Sequence, residues 1–410
     1  MLSFFRIAAA LTTAFHVLPT LFHLPDNYFP TAFKIYNFNF FTPEIVNFVQ
    51  ASPPWIIVFF VWLFCLSCFF FLVGLWSQLS CILMTAACYY FYALNSLHVG
   101  TLSWDILLVT LFLMCLTPYH GDYFSLDCLM RGREDAYERA RPYFLQRLLQ
   151  LQIGFNYFYT ASYKVSAAGN WLMDNPIFYL MNYPPEGVVK YFLLRDFFIN
   201  KPLLCYWTGV SIIIIEFSMI FLLFNPRTRI SAIYLGLFFH IILILTLDVP
   251  AIFLFLFPAQ FFLFIDPHRV LHWIEQKRSY NQKAKRPLLV YDGCCQFCLQ
   301  NIRQLKIMDL FANLEYVDLH QVEDIKSLHA ELTHLKAMSQ IHLVESDGRL
   351  YGGFHVFRRL CLTIPMLYPL LPIIYFPGMG IMGPLAYRWV ARNRYLFHRY
   401  TLCKNNACFR

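Results

Sequence analysis

Two cysteines with the spacing of a redox pair, Cys295 and Cys298, stand in the C-terminal third of the chain. An apolar segment that predicts a short strand, Pro287–Asp292, precedes them, and Cys295–Leu310 has helical periodicity. At a helix N-terminus the first thiol, expected to be exposed, meets unpaired N–H groups and the positive end of the helix dipole, which stabilise a thiolate. The second cysteine lies one turn further along the helix. Cys295 is therefore expected to attack, and Cys298 to resolve the mixed disulfide.

The same spacing has two other interpretations, half of a zinc site or an inert pair. A structural zinc ion needs a second ligand pair, for which the tail offers Cys403 and Cys408 at a looser spacing. Cys65 and Cys68 repeat the spacing inside an apolar segment, with no preceding strand and nothing to stabilise a thiolate. Redox chemistry is favoured at the later pair, and no metal site is predicted.

Two neighbours of the pair carry chemistry of their own. Asp292 stands three residues before Cys295, where it could cap the helix or take the proton of Cys298 during resolution. Cys294 adds a third thiol that could compete for the disulfide.

The residues around the dithiol follow the order β-α-β-α-β-β-α, which predicts an α/β domain of thioredoxin-like fold. Asp347-Gly348 is a strong hairpin signal between the last two strands. After the first strand and helix, the predicted elements are a strand at Leu314–Asp318, a helix at Gln321–Ala337, strands at Gln340–Glu345 and Arg349–Gly352, and a helix at Phe354–Cys361.

The segment from Tyr291 to Cys298, YDGCCQFC, resembles the signature of the DCC family, whose members are regarded as thiol–disulfide oxidoreductases of thioredoxin-like fold. The resemblance implies a catalytic role for Cys295, Cys298 and Asp292, with Tyr291 and Gly293 as supporting motif residues. It continues through Tyr351-Gly352-Gly353, the proline-rich tract Pro365–Pro384, and Tyr387 with Ala391-Arg392-Asn393-Arg394. The tract 362–386 contains five prolines, and docking on a membrane surface is favoured over packing within its own domain.

The composition places the rest of the chain in a membrane. The 410 residues are 59% hydrophobic and only 14% charged, whereas soluble domains carry about 25% charged residues. The shift to ordinary soluble composition predicts a transmembrane domain at 1–266, a basic linker at 267–286, the DCC-type domain at 287–400 and a tail at 401–410. The net charge is +8, but no interleaved basic and aromatic strip predicts a nucleic-acid partner.

A polytopic helical bundle of about eight spans is expected, because each span needs about 20 apolar residues. The candidate segments are 4–22, 55–75, 79–96, 103–119, 143–164, 203–224, 231–247 and 250–265. The segment 176–199 is aromatic and interrupted by Pro184-Pro185, and is expected to be interfacial or re-entrant.

Charge in the loops predicts the orientation. Eight spans place 13 Lys and Arg residues on one side and five on the other, and the richer side is the cytoplasmic one by the positive-inside rule. Both termini and the dithiol domain are therefore expected in the cytoplasm of a multi-pass cell-membrane protein. The richer side holds Arg6, Arg131, Arg133, Arg139, Arg141, Arg227, Arg229, Arg269, Lys277, Arg278, Lys283, Lys285 and Arg286, and the other side Lys34, Lys164, Lys190, Arg195 and Lys201.

Polar residues within the apolar segments are candidates for a site, because they are expensive inside a bilayer. Glu216 and His240 lie deep in their spans, and Lys164 ends a span whose polar face is expected to point into the bundle. Lys164 could instead snorkel to the interface, and His240 could be a packing residue. That polar face is Gln152, Asn156, Thr160 and Tyr163, and Asn95 and His98 fall near the outer ends of their spans.

The order of several short motifs resembles the horizontally transferred transmembrane (HTTM) domain, whose family includes vitamin K-dependent gamma-carboxylase. The resemblance implies a quinone-like ligand, with Lys164 corresponding to the base that acts on the quinol. The motifs are Leu94-Asn95-Ser96 with His98, Ser125 with Asp127, Tyr157-Phe158 with Ala161, Lys164 and Trp171, and Phe239-His240 with Pro250.

Together these patterns predict a membrane-bound thiol–disulfide oxidoreductase with a cytoplasmic thiol partner and a quinone-like ligand in its membrane domain. The alternative is a bundle that only anchors the chain or binds a lipid or small molecule, beside an independently acting dithiol domain. A quinol-dependent carboxylase or epoxidase is the least favoured, and no cofactor is certain.

Overall fold

The computed structural model describes residues 1–34, 40–96, 102–131, 142–183, 189 and 192–397. His98 and the pair Cys403 and Cys408 lie outside the described residues. Contacts divide the chain into a first unit, 1–128 with 140–266, and a second unit, 129–139 with 267–410.

The first unit is helical, because its long apolar runs bury side chains around a large aromatic and aliphatic core that includes Phe64, Phe91 and Trp104. The helices before Asp266 are Leu2–Leu21, Leu24–Tyr28, Pro43–Gln50, Pro54–Val73, Ser77–Leu94, Leu102–Met114, Leu126–Arg131, Phe144–Val165, Trp171–Asp174, Pro176–Asn182, Phe192–Phe198, Pro202–Phe224, Arg229–Thr246, Ala251–Leu254 and Leu256–Phe262.

Four helices among the described residues are long and apolar enough to cross a membrane, or up to six if each of two bent helix pairs is one span. The predicted count of eight is not confirmed. The last predicted span is split into Ala251–Leu254 and Leu256–Phe262, and Leu102–Met114 has only 13 residues. The four long spans are Leu2–Leu21, Pro54–Val73, Pro202–Phe224 and Arg229–Thr246.

The aromatic segment 176–199 forms the short helices Pro176–Asn182 and Phe192–Phe198, each of seven residues. A seven-residue helix is about 10 Å long, too short to span a bilayer. Arg195 ties the two together, since its Nε donates to the carbonyl oxygen of Met181 at 2.9 Å.

The second unit contains a four-stranded mixed sheet with the strand order β2-β1-β3-β4, in which β1 pairs in parallel with β2 and antiparallel with β3. The strands are β1 Leu288–Tyr291, β2 Glu315–Asp318, β3 His342–Val344 and β4 Leu350–Gly352. The α-helices are Pro267–Lys283, Gln296–Met308, His334–Ser339, Phe354–Thr363, Leu371–Ile374 and Met379–Phe397, and single 3₁₀ segments lie at Leu319–Gln321, Ile325–Ser327 and Pro365–Leu370.

The helix predicted at 321–337 is wrong. Only His334–Ser339 is an α-helix, and two 3₁₀ turns precede it. The side chains of Asp318 and Asp324 accept the backbone N–H groups of His320 and Lys326, at 3.0 and 2.9 Å. Aspartate bonding of this kind competes with the helical hydrogen-bond ladder and favours separate turns.

The proline-rich tract packs in part within its own domain, and its docking on a membrane surface stays a prediction. Leu367 packs into the core with Leu289 and Leu360. Pro365–Ile374 and the helix starting at Met379 are bent by 111°, and together they are apolar enough to be a candidate membrane element.

Candidate functional site

Cys295 is the N-cap of the helix Gln296–Met308, which begins directly after β1. Its sulfur accepts the backbone N–H of Cys298 at 3.4 Å. A sulfur in this position meets both an N–H donor and the positive end of the helix dipole, and so is stabilised as a thiolate.

The exposure of the two thiols is the reverse of the prediction. Cys295 is only 4% exposed, so the expectation of an exposed first thiol is wrong. Cys298 is partly exposed and lines a cavity. The reason is local: the sulfur of Cys295 turns back toward the N–H groups of its own helix instead of toward solvent.

Carboxylates at the ends of two parallel strands hold the loop before the dithiol. Asp292 Oδ1 accepts from the backbone N–H of Cys294 at 3.0 Å and lies 2.9 Å from His320 Nε2. Asp318 Oδ1 accepts from the N–H groups of Gly293 and His320, at 3.1 and 3.0 Å. The two strand ends are thereby joined, and the helix cap is Cys295 and not Asp292.

Gly293 is required by this arrangement. A Cβ atom at this position would lie 2.0 Å from Asp318 Oδ2, which is far closer than van der Waals contact allows, so any other residue would clash. The motif glycine therefore permits the close approach of the Asp318 carboxylate to the loop.

Cys294 is chemically distinct from the pair that follows it. Burial raises the pKa of its thiol, and the negative charges of Asp292 and Asp318 raise it further. Its sulfur is also one of three possible metal-ligand atoms, with Asp292 and His320, that lie within 4.8 Å of one another. A thiolate, an imidazole and a carboxylate would suit zinc, although the hydrogen bond between His320 and Asp292 by itself accounts for their closeness.

A cavity of about 370 Å³ adjoins Cys298 and is called the dithiol pocket below. Its walls come from the dithiol helix, from the segment before β3, and from helices Phe354–Thr363 and Met379–Phe397. The lining residues are Tyr291, Asp292, Phe297, Cys298, Asn301, Ile302, Ala337, Ser339, Gln340, Ile341, Phe354, Phe357, Ile374, Met379, Gly383, Ala386, Tyr387, Val390 and Ala391.

The first unit contains a second cavity, of about 330 Å³, called the membrane cavity below. The structure brings four of the predicted residues together there: Lys164, Glu216, His240 and Asn156. Both carboxylate oxygens of Glu216 lie 2.5 Å from Lys164 Nζ, and the lysine side chain is only 14% exposed. Lys164 is thus paired with Glu216 inside the unit.

His240 and Tyr157 also line the membrane cavity. Tyr157 Oη and His240 Nε2 are 2.6 Å apart, and the imidazole stacks on Phe257. Within the described part of the chain, His240 Nδ1 and Asn156 Nδ2 are buried without a hydrogen-bond partner. Two unsatisfied polar atoms at one cavity are the arrangement that a bound polar group would complete.

Asn95 does not line this cavity. Its buried side chain donates to the carbonyl oxygens of Asn27 and Phe33, at 2.7 and 3.1 Å. These bonds fix the backbone of the segment that follows the first helix, so Asn95 has a structural role.

The sequence profile of the HTTM domain matches residues 1–268, which is more than half of the chain. The chain belongs to the HTTM family. A second profile, that of the DCC1-like thiol-disulfide oxidoreductases, matches residues 289–399. The protein is therefore an HTTM domain fused to a DCC1-like domain.

Two curated proteins from Arabidopsis thaliana are similar to part of this HTTM-family protein. An uncharacterised chloroplast protein is 29% identical over 29% of this chain and 55% of its own length. A chloroplast DCC family protein is 24% identical over 32% of this chain and 77% of its own length. The chain thus spans about half of the first relative, and no solved structure matches it.

One motif of the HTTM domain has a structural explanation. The carboxylate of Asp127 accepts the backbone N–H groups of Trp76 and Ser77, at 2.8 and 2.7 Å, where helix Ser77–Leu94 begins. The hydroxyl of Ser125 accepts the N–H of Cys128 at 3.0 Å and so closes the turn that presents this aspartate.

Sequence reasoning missed His320 and Asp318 as residues of the dithiol site. A signal was available, because Asp318 ends the second predicted strand and His320 follows it. Parallel pairing of the first two strands brings their carboxyl ends to one edge of the sheet.

In the membrane cavity, the sequence indicated Tyr157 and Trp171 only as members of family motifs. In the structure Tyr157 is hydrogen-bonded to His240, and the centre of the Trp171 ring lies 4.9 Å from Lys164 Nζ.

Proposed function

We propose that this HTTM-family protein is a membrane-bound thiol–disulfide oxidoreductase whose redox pair is Cys295 and Cys298. The observation that carries the proposal is the placement of the two sulfurs: one caps a helix and accepts an N–H, and the other opens into a cavity. The strand order and directions around them are those of a thioredoxin-like fold, and the DCC1-like profile supports the same chemistry.

The surroundings of each sulfur favour different roles from those predicted by sequence. An incoming thiolate reaches Cys298, because Cys295 is buried. Cys295 then leaves as the stabilised thiolate, since a better-stabilised thiolate is the better leaving group. In the reverse direction Cys295 attacks the sulfur of Cys298 and releases the partner. Asp292 lines the pocket beside Cys298, where it can hold the proton of that thiol.

Trapping of mixed disulfides tests both the pair and the roles. The Cys295→Ser variant should accumulate a mixed disulfide at Cys298 with a small disulfide substrate, because the resolving thiolate is gone. The Cys298→Ser variant should lose exchange. Cys65→Ser, in the unrelated apolar pair, should retain wild-type rates.

Peptide mass spectrometry after acid quenching locates the mixed disulfide. Wild-type exchange rates in the double variant Cys295→Ser/Cys298→Ser would refute the proposal. Trapping only at Cys295 would restore the order of attack that the sequence predicted.

The membrane cavity favours a second component, a quinone-like ligand bound in the HTTM domain. The lining combines apolar side chains with an ion pair. It also contains two buried polar atoms that have no hydrogen-bond partner among the described residues. This suits a molecule with an apolar ring system and carbonyl oxygens. The competing proposal is that the bundle is an anchor, or that its cavity holds a lipid.

Extraction from native membranes distinguishes these proposals. Chromatography and mass spectrometry of the purified protein should find one quinone per protein. The amount of bound quinone should fall at least tenfold in the double variant Lys164→Met/Glu216→Gln. Lys164→Arg keeps the charge but not the capacity to act as a base, so it should retain the quinone and lose any turnover. A copurified phospholipid, or no ligand, would favour the anchor.

We further propose that both termini and the DCC1-like domain face the cytoplasm.

A further inference from the structure

The dithiol pocket has a lining that restricts the partner of the redox pair. We infer that it binds a neutral, apolar two-electron acceptor of the quinone class, which oxidises the pair from the side of Cys298. The inference rests on the proposed function, because it requires Cys295 and Cys298 to cycle between dithiol and disulfide.

Charge complementarity excludes the common soluble redox partners. No lysine, arginine or histidine lines the pocket in the described residues, and its one charged side chain is Asp292. Glutathione carries carboxylates, and the nicotinamide and flavin dinucleotides carry phosphates. Burying such an anion without a cation, beside a carboxylate, would be strongly unfavourable.

Shape and surface chemistry favour a flat aromatic molecule. The volume of about 370 Å³ lies in the usual range for small-molecule sites. The neutral polar side chains Asn301, Ser339 and Gln340 suit the carbonyl oxygens of a quinone. Five aromatic rings offer faces and edges for stacking, those of Tyr291, Phe297, Phe354, Phe357 and Tyr387.

The same wall carries an apolar outer surface. In helix Met379–Phe397 the side chains of Ile381, Met382 and Trp389 are 73%, 65% and 61% exposed. With Pro365–Ile374 this helix forms the bent pair that is apolar enough for a membrane element. An apolar helix surface of this kind binds at a bilayer interface, and the bilayer is where a lipid-soluble quinone is dissolved. Access from lipid also explains why the pocket needs no cation.

The reaction balances with a quinone as the oxidant. The thiolate of Cys298 adds to a ring carbon, and an electron pair moves onto a quinone oxygen. The thiolate of Cys295 then attacks the sulfur of Cys298, forming the disulfide and breaking the sulfur–carbon bond. The electron pair of that bond restores the aromatic ring. The two protons of the thiols end on the two quinone oxygens, so one disulfide forms for each hydroquinone.

A single-turnover experiment tests the inference in the full-length protein. The reduced protein is mixed anaerobically with a ubiquinone analogue that has one isoprenoid unit. The absorbance of the quinone is followed, and the Cys295–Cys298 disulfide is counted by alkylation and mass spectrometry. We expect one hydroquinone per disulfide. Ala386→Trp, at the pocket wall, should slow the reaction at least tenfold.

Matched variants keep the test specific. Leu385→Trp introduces the same ring at the neighbouring position, which is 54% exposed and does not line the pocket, and should react like wild type. Val390→Phe, a second wall variant, should also slow the reaction. Exchange with a small hydrophilic disulfide should change less than twofold in Leu385→Trp, and in the two wall variants it should fall much less than the quinone reaction does.

Each other outcome contradicts the inference. Disulfide exchange without quinone reduction would overturn it and leave the proposed function standing, whereas loss of both reactions in wild type would remove the proposed function as well. Equal loss of both reactions in Ala386→Trp would show that the pocket does not select a quinone. Faster reaction with an apolar cysteine peptide, slowed by the same variants, would assign the pocket to a protein partner.

Discussion

The three neighbouring cysteines of the DCC1-like domain differ in the groups that surround each sulfur. These surroundings determine how reactive each thiol is. Cys295 accepts an N–H at a helix start, Cys298 faces a cavity, and Cys294 lies among carboxylates. The sequence placed all three correctly in the strand-to-helix turn. It could not supply their exposure, because the loop that carries them is held by backbone N–H groups of Gly293 and Cys294 that donate to Asp318 and Asp292 at the strand ends.

Cys294 should react slowly with alkylating reagents near neutral pH. Its pKa is raised by burial first, and then by the charges of Asp292 and Asp318, so the fraction of thiolate is lower than for an ordinary thiol. Asp292→Asn removes one negative charge, which moves the pKa down and should raise the alkylation rate at pH 7.5 roughly two- to fivefold, since one pKa unit is tenfold in thiolate.

Alkylation of Cys294 is measured by mass spectrometry of the peptide that contains it. Asp324→Asn, which alters a distant aspartate turn, is the matched control and should leave the rate unchanged. An unchanged rate in Asp292→Asn would show that the charge of Asp292 does not slow this thiol.

Lys164 should be important for stability as well as for any chemistry. Its ion pair with Glu216 lies inside the HTTM domain, where the lysine and glutamate side chains are 14% and 7% exposed. Lys164→Met would leave the carboxylate without its partner, and we expect a loss of about 3–5 kcal/mol in the free energy of unfolding.

The double variant Lys164→Met/Glu216→Gln should recover most of that loss, because no buried charge remains. Reversible unfolding in detergent measures the two variants. Equal stability of the single and double variants would mean that water or another group compensates Glu216.

At the scale of the elements, the sequence predicted best where one local pattern decided the structure. All four strands lie within their predicted segments, and the hairpin lies around Asp347-Gly348. The helix predicted at 321–337 failed because its apolar periodicity was outweighed by Asp318 and Asp324, which each cap a separate turn. The span count failed for a related reason, since apolar composition does not reveal where a helix breaks, as it does at Phe255.

The start of helix Ser77–Leu94 depends on a cap from a distant segment. Asp127 accepts two backbone N–H groups there, and the Ser77 hydroxyl as well at 2.6 Å. Bonds to a buried carboxylate contribute about 1.5–3 kcal/mol, so Asp127→Ala should lower the free energy of unfolding by about 2–3 kcal/mol.

Asp127→Asn keeps an acceptor oxygen and should cost less than Asp127→Ala. Asp174→Asn, at an exposed aspartate of a short helix, is the control and should be neutral. Thermal unfolding in detergent compares the stabilities of the three variants. If Asp127→Ala is as stable as the control, the Asp127 cap does not stabilise the fold.

At the scale of the whole molecule, the shift in charge composition predicts a boundary between a membrane domain and a soluble domain. The HTTM profile ends at residue 268, two residues into the predicted linker 267–286, and the DCC1-like profile begins at 289, after that linker. What composition could not show is that much of this linker is the 17-residue helix Pro267–Lys283. Helical periodicity is hard to recognise there, because none of its side chains is buried.

The orientation proposed for the chain rests on its charges and can be tested by labelling. The basic residues of helix Pro267–Lys283 favour the cytoplasmic face, because Lys and Arg near the ends of spans are retained there. A cysteine at Tyr280, which is 69% exposed, should react with an impermeant maleimide only after the cells are permeabilised. A cysteine at the exposed Ala168, after helix Phe144–Val165, should react in intact cells.

Labelling of Tyr280→Cys in intact cells would place the dithiol outside, where its thiol partners would be extracytoplasmic. The cytoplasm keeps thiols reduced, so the inward orientation implies that thiols there supply electrons to the pair and a membrane oxidant removes them.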